Sequence, residues 1–145
     1  MPRPSGRLSQ VIPSDWSGSN RHQATLFLTS RCTISRPGVG MGGFDPATGT
    51  GTAPAPSVVA SNVRCRVEVV PRTAGLAKVA AEERIEGRRY TVQVPWDVVD
   101  VTVHDVVTVT AAEDPGLVGI ELRVTALHTT SLQWSRVLQA EVFDR

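Results

Sequence analysis

Three histidines and two cysteines are the side chains of this sequence whose chemistry would be easiest to recognise. They are His22, His104, His128, Cys32 and Cys65. The histidines have neither an H-E-x-x-H pair nor another ligand spacing, and such histidines are mostly solvated or hydrogen-bonded. Each cysteine alternates with polar neighbours and is predicted to face a core, where a free thiol packs as a small apolar group. We therefore expect no catalytic residue, no metal site and no cofactor, and predict that the chain is not an enzyme.

A glycine-rich run faintly resembles a phosphate-binding loop. The run Gly38-Val39-Gly40-Met41-Gly42-Gly43 lacks the lysine of the G-x-x-x-x-G-K-[ST] motif, and no helix signal follows it. It opens a segment, residues 37–57, with six glycines and four prolines. Inside this segment Asp45-Pro46-Ala47-Thr48-Gly49 predicts a turn, because aspartate bonds forward to the backbone and glycine accepts a left-handed conformation. A loop of this length is either functional or mobile.

Arginines occur in two close pairs that could contact a partner. Arg64 and Arg66 alternate with apolar residues, so they are predicted to point outward together from a strand. One interpretation is an ordinary solvated sheet face. The other is a patch that pairs with acidic groups of a partner, because arginine forms bidentate contacts at interfaces. The interface candidates are Arg64, Arg66, Arg88, Arg89 and Trp16.

The elements that would position these residues are mainly strands. The chain contains 22 valines and 14 threonines, and both residue types favour β structure. Alternating patterns predict strands at 31–36, 64–69, 90–94, 99–103, 106–110, 119–127 and 132–143. Short strands separated by turn signals indicate an all-β fold, a small antiparallel barrel or sandwich with long loops at 37–57 and 72–88. Ser14 is a plausible N-cap for a short helix that starts at Asp15.

Length and charge restrict the class of protein. A chain of 145 residues fits one domain, here residues 24–145, preceded by an arm or short helix over 1–23. A net charge of +1 argues against a dedicated electrostatic nucleic-acid binder. No apolar run approaches the roughly 18 residues of a membrane helix, and we expect no secretory signal. A disulfide between the two cysteines is geometrically possible but not expected in a reducing cytoplasm.

The order of several sequence segments is similar to that in a known protein family. Cys32-Thr33-Ile34-Ser35-Arg36-Pro37-Gly38 is followed by Asp45-Pro46-Ala47-Thr48-Gly49-Thr50 and by Cys65-Arg66-Val67. After an excursion come Arg89-Tyr90-Thr91-Val92-Gln93-Val94-Pro95-Trp96, Asp105-Val106-Val107-Thr108-Val109-Thr110, Asp114-Pro115-Gly116-Leu117-Val118-Gly119 and Leu122-Arg123-Val124-Thr125. Over residues 24–143 this series resembles the head-completion, or head-to-tail stopper, proteins of long-tailed bacteriophages of actinobacterial hosts. One position departs from it, because His104 stands where we would expect glycine.

The resemblance implies a small β-barrel that forms a ring of six or twelve copies in the virion neck and is assembled in the host cytoplasm. Such a ring would dock under the portal and its adaptor, help retain the packaged DNA and receive the tail terminator or tail tube. Double-stranded DNA would pass through without sequence-specific binding, and no membrane is involved. The alternatives are another neck or tail protein, such as a tail terminator, or a small barrel that binds nucleic acid. The candidates for a partner or lumen loop are Gly38, Gly40, Met41, Gly43, Phe44, Asp45, Pro46, Thr48 and Gly49.

Overall fold

Alternation of apolar and polar residues folds most of this chain into antiparallel strands. The computed structural model describes residues 15–40, 42–70, 88–129 and 134–143. Helix α1 (Trp16–Leu26) comes first. The strands are β1 (Ser30–Arg36), β2 (Phe44–Asp45), β3 (Thr50–Gly51), β4 (Ser57–Val69), β5 (Arg89–Pro95), β6 (Val106–Ala111), β7 (Glu121–His128) and β8 (Ser135–Val142). A 3-10 turn, Pro115–Leu117, lies between β6 and β7.

Six of these strands close into an antiparallel barrel in the order β1-β4-β5-β8-β7-β6, while β2 and β3 pair only with each other. Closure leaves no unpaired sheet edge in the barrel. The strong bending that closure needs comes from bulges, where one strand has an extra residue. In β4 one bulge faces the step from Cys32 to Ile34 and contains Asn62 with a φ of 53°. The predicted all-β fold with a short N-terminal helix is confirmed, and of the two predicted architectures, barrel and sandwich, it is the barrel.

The barrel interior is filled mainly by β-branched and small apolar side chains. Its core residues include Cys32, Ile34, Cys65, Tyr90, Val92, Val94, Val107, Leu122, Val124, Leu138 and Ala140. Side chains on one face of a strand share a period of two, so each strand contributes alternate residues to the core. Cys32 and Cys65 face the core as predicted, and Ile34, Leu122 and Val124 are also fully buried.

Helix α1 contacts β5 and β8. Its half-buried residues follow helical spacing and are small or polar: Ser17, Asn20, Arg21, Ala24 and Thr25. The Arg21 guanidinium stacks on the Trp96 ring at 4.0 Å from the ring centroid, while Trp16, Leu26 and Phe27 remain exposed. Asp15 rather than Ser14 is the N-cap residue, and the helix continues past position 23 to Leu26. Within the described residues, no helix is long and apolar enough to cross a membrane.

The strand predicted over residues 99–103 is wrong. This segment belongs to the connection between β5 and β6, although Val101 is buried as the alternation suggested. Its backbone is held by side chains rather than by a neighbouring strand. Arg36 Nη2 donates to the Asp100 carbonyl oxygen at 2.8 Å, and the Thr102 N–H donates to Asp105 Oδ2 at 2.8 Å. Backbone groups that bond to side chains in this way cannot also form hydrogen bonds with a neighbouring strand.

Two long connections meet at one end of the barrel. Arg36, the last residue of β1, pairs with Ser57, the first of β4, so residues 37–56 leave and return at this end. The connection after β5, residues 96–105, lies at the same end because Arg36 contacts both Asp100 and Asp105. The excursion predicted over 72–88 lies outside the described residues except for Arg88.

The backbone of the junction before β6 explains why glycine is expected at position 104. His104 adopts a φ of 78°, a left-handed conformation that glycine tolerates best, and its N–H donates to the Val124 carbonyl oxygen at 2.8 Å. We expect His104→Gly to raise the free energy of unfolding by about 0.5–1 kcal/mol, because it removes this strain. Thermal unfolding measures the effect. Val103→Gly, at a neighbouring position where φ is not positive, should lower the stability, and a destabilised His104→Gly variant would contradict the explanation.

Candidate functional site

A long hairpin, which we call the arm and define as residues 37–56, projects from this end of the barrel. Phe44 pairs with Gly51 and Asp45 with Thr50. The turn between them is built as the sequence predicted: Asp45 Oδ1 accepts the Ala47 N–H at 2.9 Å, and the Asp45 carbonyl accepts the Gly49 N–H at 2.9 Å. Gly49 has a φ of 69° there, and the Thr48 and Thr50 hydroxyls lie 2.7 Å apart.

Close backbone contact continues the hairpin toward the barrel. A Cβ atom on Gly42 would overlap the carbonyl oxygen of Thr52, so only glycine fits at this crossing. The Gly43 carbonyl accepts the Thr52 N–H at 3.0 Å, and Gly38 comes similarly close to Pro54. The segment predicted as a functional or mobile loop is therefore a paired ribbon.

The arm exposes apolar surface without contributing to the barrel core. Apart from Gly42 and Pro54, every described residue of the arm is exposed, and Met41 lies outside the described residues. Val39 has an exposed fraction of 93% and Phe44 one of 67%. A two-stranded hairpin is marginally stable in water on its own, and exposed large apolar residues commonly mark contact surfaces. The arm therefore has the properties of a segment that packs against another protein.

A bidentate ion pair fixes the base of the arm. Arg36 Nε donates to Asp105 Oδ1 at 2.9 Å, and Nη2 donates to Oδ2 at 3.1 Å. The Asp105 side chain has an exposed fraction of 1%, against 42% for Arg36. The pair therefore joins the end of β1, where the arm departs, to the start of β6, and Asp105 also receives the Thr102 N–H.

The electrostatics of Asp105 follow from this geometry. Burial alone would raise the pKa of the carboxyl, but hydrogen bonds from Arg36 and Thr102 outweigh it and hold the pKa below its ordinary value. The hydrogen bond with Asp105 in turn raises the pKa of Arg36. Sequence reasoning missed this pair because its members are 69 residues apart. The sequence did offer a signal, because Arg36 directly precedes the arm and Asp105 directly precedes the apolar start of β6.

The arginines singled out in the sequence lie on different parts of the surface. Arg64 and Arg66 are exposed on the outer face of β4, as the alternation predicted, and Arg66 pairs with Glu68. Arg89 lies 3.7 Å from Glu141 of β8, and Arg88 precedes it in an exposed position. Trp16 is exposed at the start of α1. The structure thus does not bring these residues together into one site.

Known protein families provide one match. Residues 20–141 match the family described as "Family of unknown function (DUF6093)". The chain belongs to this family. The matched range begins within α1 and ends in β8, so it includes the arm and all six barrel strands. No curated protein and no solved structure matches the chain.

The two cysteines of this DUF6093 protein are core residues. Cys32 and Cys65 lie on the paired strands β1 and β4, are free thiols and have no exposed surface. The hydrogen bond between the two thiols, together with burial, raises the pKa of Cys32. A buried, protonated thiol is a poor nucleophile. The arrangement matches the predicted packing role.

The groove beside α1 of the DUF6093 protein is too open for a small-molecule site. A groove of about 340 Å³ lies between α1 and the barrel and is lined by Gly18, Arg21, His22, Thr25 and Trp96. It is open to solvent on one side, whereas small-molecule sites usually enclose most of their ligand. Among the described residues, no three His, Cys, Asp or Glu side chains form a group that could hold a metal ion.

Proposed function

We propose that this protein is a structural component of the neck of a long-tailed bacteriophage. In this proposal it forms a stopper ring that docks under the portal and its adaptor, helps retain the packaged DNA and presents the surface to which the tail attaches. The observation that carries the proposal is the arm, an ordered and exposed hairpin that leaves one end of a closed barrel. The resemblance of residues 24–143 to stopper proteins is the second line of support.

The barrel and the arm have different mechanical roles in this proposal. A closed sheet has no free edge, so the barrel resists the uncontrolled strand pairing that a crowded ring would promote. The arm is fixed at its base by Arg36 and Asp105 but exposes Val39 and Phe44 along its length. A ring subunit needs this combination of a rigid body and a segment that reaches a neighbour. The proposal needs no catalytic step, because the duplex is retained by steric obstruction.

Ring closure requires two different surfaces on each subunit. Head-to-tail interfaces join one patch of a subunit to another patch of its neighbour, and they close when the rotation divides a full turn. The arm supplies one patch, with Phe44 as its largest apolar side chain. The outer side of α1 supplies a second, with Trp16, Leu26 and Phe27 exposed. Aromatic anchors of this kind dominate the binding energy of protein interfaces.

Reconstitution tests the proposed function. Heads that have packaged DNA but lack this protein should be isolated from the phage that encodes it and mixed with the purified chain and with tails. We expect the chain to make the packaged DNA resistant to nuclease and to allow tails to join, because the ring both obstructs the channel and forms the tail surface. Particles with protected DNA and attached tails can be counted by electron microscopy.

The outcomes of this experiment separate the alternatives. If the heads already retain their DNA without the chain and only the tails are defective, the protein is a tail terminator rather than a stopper. If neither DNA retention nor tail joining changes on addition of the chain, the proposed neck function is wrong. A chain with Leu122→Asp, a charge in the core, serves as the unfolded control and should restore nothing.

A further inference from the structure

Two arginines face each other directly across strands β1 and β4. In the antiparallel register Arg31 is the partner of Arg64, and Arg66 follows on the same face of β4. Directly opposed side chains in such a pair have their Cβ atoms about 5 Å apart, and like charges there destabilise the sheet. Within the described residues the only carboxylate on this face is that of Glu68, which pairs with Arg66. Arg31 Nη1 instead donates to the Asn62 carbonyl oxygen at 3.1 Å.

Most other positions of this outer face are polar. We define the arginine face as the part of the outward surface of β6, β1 and β4 that holds Thr108, Thr110, Arg31, Thr33, Ser35, Arg64, Arg66 and Glu68. Val58 beside Ser35, Ala111 beside Arg31 and Glu121 beside Thr108 border it. It carries three guanidinium groups, one carboxylate and four hydroxyls. The cores of protein–protein interfaces are enriched in aromatic residues and methionine, and none of the positions in this face holds either. Interfaces with nucleic acid are more polar and more positive, and arginine, serine and threonine supply many of their phosphate contacts.

From this composition we propose that the arginine face binds the phosphate backbone of a DNA duplex. Arg31 and Arg64 would each contact a phosphate, and their mutual repulsion would be relieved by the anions between and beside them. The absence of aromatic residues from the eight positions argues against stacking with single-stranded bases. The face contains few cations, so each subunit would hold the duplex weakly and without sequence preference, which allows sliding.

The location of this face relative to a channel rests on the proposed function, whereas the binding itself does not. In a neck ring the arginine face would line the lumen. This face would be locally positive although the net charge of the whole chain is close to zero. The resemblance implies only that DNA passes without sequence-specific binding, whereas the arginine face would contact the phosphates directly. The proposal assigns the contact to named residues on one wall of the barrel.

Spectroscopic titration of the isolated full chain tests the proposal. We would record ¹H–¹⁵N spectra at low ionic strength while adding a short DNA duplex, and in parallel a polyglutamate peptide. We expect the duplex to shift amide signals of β1 and β4, and to do so more strongly than polyglutamate at equal charge. Absence of shifts on these strands would overturn the proposal. Equal or stronger shifts with polyglutamate would also overturn it and would indicate an acidic protein partner.

Substitution makes the test quantitative. In the Arg31→Gln/Arg64→Gln variant we expect duplex affinity to fall about tenfold or more, and the slope of log K against log salt to fall by about two. The matched control is Arg89→Gln/Arg123→Gln, which removes the same charge from exposed positions of β5 and β7 on either side of Glu141, outside the arginine face. If the control loses as much affinity as the Arg31/Arg64 variant, binding reflects net charge and the assigned face is wrong. Reconstitution of heads is read out separately, so failure here leaves the neck proposal standing.

Discussion

Replacing Asp105 by alanine is expected to lower the free energy of unfolding by about 3 kcal/mol, the order of two charge-assisted hydrogen bonds lost together with a donor left unpaired. The variant loses the carboxylate that receives Arg36 and the Thr102 N–H, and it leaves that N–H without its partner. For a chain of this size we expect the midpoint of thermal unfolding to fall by about 10 °C. Calorimetry or circular dichroism would measure it.

The matched control for this experiment is an exposed ion pair. Glu141→Ala removes the carboxylate near Arg89, at 3.7 Å on the barrel surface, and exposed pairs contribute about 0.5 kcal/mol or less. Arg36→Met should also destabilise the fold, and the effects of Arg36→Met and Asp105→Ala should be less than additive in the double variant. If Asp105→Ala changes stability no more than Glu141→Ala does, the ion pair does not hold the base of the arm.

The same pair gives a defined pH dependence. The folded-state pKa of Asp105 is lowered, so its contribution to stability is complete above the ordinary aspartate pKa of about 3.9. That contribution is lost as the pH falls through the lower folded-state value. The difference in unfolding free energy between the wild type and Asp105→Ala should therefore be constant near neutrality and shrink in acid. A difference that grows on acidification would contradict the direction of the shift.

Shortening the arm is expected to abolish head–tail joining while leaving the barrel folded. In the variant, two glycines replace residues 43–52, which removes Phe44 and the whole hairpin turn. No core residue is lost, so the unfolding midpoint should change little. Loss of an aromatic anchor costs 2 kcal/mol or more in many interfaces, so we expect tail joining in the reconstitution assay to fall about 30-fold or more.

A surface change at the other end of the barrel controls for the arm experiment. Val118→Ser alters an exposed apolar residue in the β6–β7 connection and should leave head–tail joining unchanged. Phe44→Ser should reproduce part of the defect of the shortened arm. Normal numbers of tailed particles with the shortened arm would exclude the arm as the contact segment. An unfolded shortened variant would show instead that the arm stabilises the barrel.

Local patterns were sufficient to predict most of the strands. The alternation around Cys32 and Ile34 and around Leu122 and Val124 follows from the period of two that a half-buried strand imposes. The same rule was wrong over residues 99–103, because alternation records only which side chains are buried. Val101 is buried there, yet the backbone groups bond to Arg36 and Asp105 instead of to a strand.

The sequence by itself determined the all-β class, the outward direction of Arg64 and Arg66, and the turn at Asp45–Gly49. All three depend on residues within a few positions of one another, where dihedral preferences and side-chain alternation act directly. Only the tertiary structure decided that six strands close into a barrel, that Arg31 faces Arg64 and that Arg36 binds Asp105. These depend on register and bulges between strands distant in sequence, which local pattern does not specify. The charged contacts that distinguish this chain therefore form between strands distant in sequence rather than within a local motif.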